Sequence, residues 1–134
     1  MNNITDLDEL IESMNPKIIE DEFIFSIVDS KTFLKLDLSK ILLTFQEKEG
    51  LTIITTKNYA DENNLDYEGV WGLITLTVNS DLKAIGLLSI VTNALAKEVI
   101  SVNVVSAYYH DHLFVPIEKL NKSIPMLKWV SQKI

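Results

Sequence analysis

The side chains best suited to chemistry gather in Tyr108-Tyr109-His110-Asp111-His112, a stretch that holds both histidines of the chain. Residues two apart on a strand share a face, so in extended backbone His110 and His112 reach one metal ion, with a carboxylate as third ligand. A turn between them would part the rings, and no second His or Cys cluster exists to complete a site. Two other readings stay open for the same stretch: a histidine hydrogen-bonded to backbone, and contact with a small ligand. Ser106, His110 and Asp111 include the residue types of a nucleophilic triad, but crowding on one hairpin does not supply a triad's geometry. Glycine-rich phosphate loops, GxSxG, HExxH and cysteine nucleophiles are all missing. Glu47 and Glu49 flank a turn and read as solvated acids, not as a proton-sharing pair. The sequence therefore reads as non-enzymatic, with no cofactor and no metal expected.

Composition narrows the partners. The 134 residues suit one domain or two half-size units sharing a core, and 47% hydrophobic with 23% charged residues describes a globular chain. The net charge is -7, and all 12 basic residues are lysine. Without arginine the chain lacks the planar fork that grips phosphates and guanine edges, which argues against nucleic-acid binding. Residues 1–70 carry 15 acids and 6 lysines and the remainder 4 acids and 6 lysines, so the halves differ at -9 and +2. This asymmetry reads as a solvated acidic face or as a surface through which halves or subunits meet. The absence of cysteine removes disulfides and thiolate sites. The polar, acidic start MNNITDLDEL is unlike a signal peptide, and no apolar run spans a membrane, so a cytoplasmic location is expected.

The elements that must position these residues follow from periodicity. A helix is predicted from Thr5 to Met14, ended by Pro16, and a buried strand from Glu22 to Asp29. Ile41–Gln46 and Leu51–Thr56 read as a hairpin whose turn uses Gly50 in a left-handed conformation. A short polar helix is predicted over Asn58–Asn64, and the loop near Asp66–Gly72 is the nearest thing to a boundary. LITLTV alternates as a half-buried strand, Asn79, Ser80 and Asp81 supply capping oxygens, and Leu82–Lys97 has the spacing of a core-facing helix. SVNVVSAYY and HLFVP form strands joined at a tight turn at His110 and Asp111. Ile117–Gln132 forms a last helix, which Pro125 is predicted to kink or restart near Ile124. Trp71 and Trp129 read as packing residues. The order strand, helix, strand, strand, helix gives an α+β, ferredoxin-like antiparallel sheet with helices on one face. The division expected is 1–70 and 71–134.

EKEGLTIIT at 47–55, WGLITLTVNSDLKAIGLLSIVTNALA at 71–96 and ISVNVVSAYYHDHLFVP at 100–116 together resemble bacterial ACT-like proteins of unassigned function, built from two tandem ACT-type subdomains. YHDHLFVP is the most specific piece, backed by LTVNSDLKAIGL. The resemblance implies effector sensing, usually of an amino acid, where the loop after the first strand meets a neighbouring unit. Carried over residue by residue, that loop is Asn79, Ser80 and Asp81, with Gly86 in the following helix and Asn103 on the adjacent strand. Backbone N–H groups at a helix start suit a carboxylate, and Asp81 suits an ammonium group. His110, Asp111 and His112 complete the ligand-binding candidates. The implied protein is a small-molecule sensor that acts as a homodimer or through an unknown protein partner, using exposed sheet edges. The alternative is an interaction module that binds no ligand.

Overall fold

The structure, a computed structural model, describes residues 13–77 and 86–131. The predicted helix from Thr5 falls outside these residues apart from its last positions, and the capping set Asn79, Ser80 and Asp81 lies wholly outside them. Contacts divide the chain into two units: one is Asp21–Trp71, and the other joins the residues from Gly72 onward to those before Asp21.

The unit Asp21–Trp71 takes most of strand β1 (Pro16–Val28), then a four-residue helix α1 (Ser30–Phe33), β2 (Ile41–Glu47), β3 (Gly50–Thr56) and helix α2 (Lys57–Glu62). β1 starts earlier than the Glu22 expected, because Lys17 and Glu20–Glu22 are exposed and carry no hydrophobic period. β3 pairs antiparallel with both β1, from Phe23↔Thr56 to Val28↔Leu51, and β2, so the third strand in sequence is central. Ile24, Val28, Ile53, Ala60 and Leu65 form the core of this unit. Gly50 has φ +153° and is not left-handed as expected; it opens β3, and an added Cβ would lie 2.9 Å from Ile27 Cγ1. Glycine is therefore required by close approach as well as by its dihedral. Trp71 packs edge-on against Phe25, with ring centroids 5.7 Å apart.

The other unit repeats the order: β4 (Trp71–Leu76), helix α3 (Leu87–Lys97), β5 (Asn103–Ser106), β6 (Asp111–Pro116) and, after a 3-10 turn, helix α4 (Leu120–Ser131). Again the third strand is central, in the order β4-β6-β5. Ile74, Leu76, Leu113 and Val115 pack with Leu87, Val91 and Leu95 of α3 and Leu127 and Val130 of α4. Met14 belongs to the same core, and Thr77 donates its backbone N–H and its hydroxyl to the Asn15 carbonyl, at 3.3 and 2.9 Å. A division at 70 and 71 follows sequence order and parts Met14 and Asn15 from the residues they pack on.

Four local details differ from the sequence reading. β4 is buried on both faces, since Leu73 and Thr75 are covered as well as Ile74 and Leu76, so its alternation does not mark an exposed side. The β5–β6 hairpin turns at Tyr108 and Tyr109, with Ala107 N–H bonded to the His110 carbonyl at 3.0 Å, and Asp111 already belongs to β6. The register decides this, because Ser106 pairs with Asp111. Pro125 lies inside an uninterrupted α4, whose Leu127 and Val130 are anchored in the core; packing outweighs the one backbone bond that proline removes. The fourth detail is Gly86: it is not within a helix but precedes α3 as its N-cap, with φ 98° and ψ -21°.

Helix α3 ends in a Schellman arrangement. Ile100 N–H reaches the Leu95 carbonyl at 3.0 Å and Val99 N–H the Ala96 carbonyl at 2.9 Å. Val99 thereby takes φ 59°, a conformation that a β-branched residue adopts at a cost.

Candidate functional site

β6 sorts the histidine stretch by face. Leu113 and Val115 point into the helix-covered core, so Asp111 shares their side by the two-residue period, while His112 points to the other. There His112 Nδ1 lies 2.9 Å from Thr75 Oγ1 on the neighbouring strand β4. Partial burial, reinforced by the nearby His110, holds the His112 imidazole below its ordinary pKa and keeps it neutral at pH 7. His110 and His112 have ring centroids 6.4 Å apart at 82°, and the Tyr109 ring also lies 6.4 Å from that of His110. The two histidine rings are therefore neighbours, and Asp111, only 9% exposed, is not directed to them.

The remaining candidates separate along the unit. Thr75 stands four positions before Asn79, so the histidine end of β6 lies beside the strand end from which the 78–85 segment departs. Gly86 closes that segment and starts α3. Asn103 follows the opposite end of α3, a helix of 11 residues that spans about 16 Å. It pairs with Phe114, whereas His112 pairs with Val105 and Asp111 with Ser106, so along the hairpin Asn103 stands two positions, about 7 Å, from the level of His112 and three, about 10 Å, from that of Asp111. The structure thus groups Gly86, His110, Asp111 and His112 toward one end of the unit, with Asn103 two positions along the hairpin from His112.

The start of α3 differs from its counterpart in the first unit. In α1 the N-cap Asp29 accepts the Thr32 N–H at 2.7 Å, and these hydrogen bonds hold its carboxyl below the usual range. At α3 the N-cap is Gly86, which has no side chain to accept a hydrogen bond, and no side-chain cap is formed among the described residues. The N-cap residue of one helix therefore supplies a carboxylate, and that of the other supplies no side chain.

Sequence reasoning missed two features. Thr75, the partner of His112, is visible in LITLTV only as a polar residue in an alternating strand. An open depression of about 720 Å³ in the unit Asp21–Trp71 is walled by Phe25 and Ile27 and rimmed by Glu47, Asp66 and Glu68. Its hydroxyls are engaged: Ser26 donates to the Asp66 carbonyl at 2.6 Å and Thr52 to Glu47 Oε1 at 2.5 Å. No single hydrophobic or catalytic pattern joins these positions in the sequence.

The comparisons agree with this repeated topology. The ACT domain family matches residues 2–72 and again residues 69–128. A crystal structure from Vibrio cholerae, of a protein of unknown function described as a possible transport protein, is 35% identical, with a TM-score of 0.82 over 94% of this chain and 96% of that one. An Agrobacterium tumefaciens protein is 16% identical, with a TM-score of 0.71 over 88% of this chain and 89% of that one. The ligand-free regulatory subunit of aspartate kinase from Thermus thermophilus is 10% identical, with a TM-score of 0.68 over 88% and 97%. At these lower identities the likeness is one of fold. No curated protein matches the sequence. Two ferredoxin-like units of the same strand order, matched in turn by the same family of regulatory domains, make the chain a tandem member of the ACT domain family.

Proposed function

We propose that the chain is a regulatory protein that binds a small molecule, an amino acid, at the start of α3 in its second ACT domain. The contrast between the two helix starts supports this reading most directly. Asp29 places the chain's own carboxylate on the Thr32 N–H at the start of α1, whereas the N-cap of α3, Gly86, has no side chain, and none caps the helix among the described residues. A carboxylate from solution suits that position, with N–H groups and the positive end of an 11-residue helix facing it. Among the described residues Asp111, on the helix-facing side of β6, is the carboxylate offered to an ammonium group; Asn79, Ser80 and Asp81, which lie outside them, are the further candidates. Binding favours one arrangement of the domain over another and is passed to a second copy or to a partner protein. The protein is cytoplasmic, performs no catalysis, and among the described residues has no helix that crosses a membrane.

A thermal-shift screen against the twenty amino acids tests this. Ligand at 100 times its dissociation constant stabilises by about 2.7 kcal/mol, a rise of several degrees for a chain of this size. At least one amino acid is expected to give that rise, and Asp111→Asn to abolish it. No shift with any amino acid at millimolar concentration rejects the sensor.

A second reading, an interaction module without ligand, is favoured by one observation. Ile27, Leu42 and Phe45 are large apolar side chains exposed in the unit Asp21–Trp71, which suits a protein surface. A concentration-dependent mass with no ligand response would select it.

A further inference from the structure

We propose that His110 and His112 form a two-point chelate for a divalent transition ion that prefers imidazole, such as Zn2+, Ni2+ or Cu2+. The site goes beyond amino-acid binding and uses the face of β6 turned away from α3. His112 lies on β6 and His110, one position before the strand, closes the hairpin turn with Ala107, so the two residues are two positions apart and their rings are neighbours. Their centroids, 6.4 Å apart at 82°, are close to what two imidazoles on one ion require. With nitrogens about 2.0–2.1 Å from a tetrahedral ion, the ring centres stand roughly 5 Å apart. Chelation draws the ring of His110, which adjoins the hairpin turn, closer to His112 by that difference.

Thr75 prepares the second ligand. When His112 Nδ1–H donates to Thr75 Oγ1, 2.9 Å away, the ring orientation is fixed and Nε2 presents its lone pair outward. A hydrogen-bonded distal nitrogen of this kind is the usual support of a metal-bound histidine. Asp111 is directed to the opposite face and does not serve as third ligand. Among the described residues no group of three or more His, Cys, Asp or Glu side chains converges, so water fills the remaining coordination positions. The ion then keeps exchangeable sites, as in an open centre and unlike a closed structural one.

Calorimetric titration of the full chain with Ni2+ or Zn2+ tests the proposal. One ion per chain is expected, with His110→Ala and His112→Gln each weakening binding at least tenfold and Thr75→Val weakening it by about tenfold. Circular dichroism without metal confirms that each variant is folded. Cu2+ electron paramagnetic resonance of the unmodified chain gives a reading independent of the variants: hyperfine coupling to two imidazole nitrogens is expected. Affinity unchanged by either histidine substitution, or coupling to fewer than two nitrogens, overturns the chelate.

Discussion

Thr75 Oγ1 and His112 Nδ1 stand 2.9 Å apart and tie the first strand of the second domain to its central strand, on the face away from α3. This makes the half-buried imidazole part of the sheet's internal structure. A charged ring would have to be accommodated there against partial desolvation and beside His110.

Acid should therefore weaken the fold through His112. Its folded pKa is lowered, so as the pH falls the unfolded chain takes up the proton first. The contribution is fully present above about pH 6.5, the unfolded value, and is lost as the pH falls through the lower folded value. Urea midpoints at pH 7.5 and 5 measure it: the difference should shrink in His112→Gln, and an unchanged difference would assign the acid sensitivity to other groups.

Val99→Gly should stabilise the chain. Val99 is 84% exposed and holds φ 59°, so the substitution removes a strained β-branched residue while sacrificing little buried surface. Glycine accepts this position of the Schellman arrangement freely, and the gain should be about 1 kcal/mol. Equilibrium denaturation measures it, and a loss of stability would contradict the strain.

Gly72→Ala should destabilise by about 1–3 kcal/mol, as overpacked core positions do. An added Cβ would lie 2.7 Å from Leu120 Cδ2 and 2.9 Å from Cδ1. Combining it with Leu120→Ala should recover part of the loss, and a double-mutant cycle with no coupling would show that the two positions do not meet.

Gly86→Ala tests the start of α3 in both roles. At φ 98° the alanine is strained, by about 1–2 kcal/mol. Should an amino acid bind as proposed, its affinity should fall at least tenfold along with the stability. A variant that loses stability and keeps full ligand affinity would place the ligand elsewhere.

The fold is legible in this sequence because its strongest signals are long apolar patterns: EFIFSIV, the hairpin around Gly50, and the stripe of α3. Packing decided what periodicity alone did not. Pro125 stays helical because Leu127 and Val130 are held in a core, and the turn falls at Tyr108 and Tyr109 because Ser106 pairs with Asp111. The site was legible in part. The His110 and His112 rings are neighbours, and Asn103 stands two positions along β5 from Val105, the partner of His112. Nothing in LITLTV marks Thr75 as the partner of a histidine 37 residues later. Asn79, Ser80 and Asp81 lie outside the described residues.

Met14 and Asn15 pack with residues from Ile74 onward, and the Asn15 carbonyl meets Thr77 across 62 positions. A ribosome therefore releases these residues long before their neighbours exist. The Asp21–Trp71 unit has all of its strands once Thr56 has emerged, while the second domain must recover a segment made before that unit. Its closure depends on contacts of large sequence separation, which are slow to form. Synthesis order and folding order run differently in this tandem, and the second domain should be the later to protect its amides from exchange.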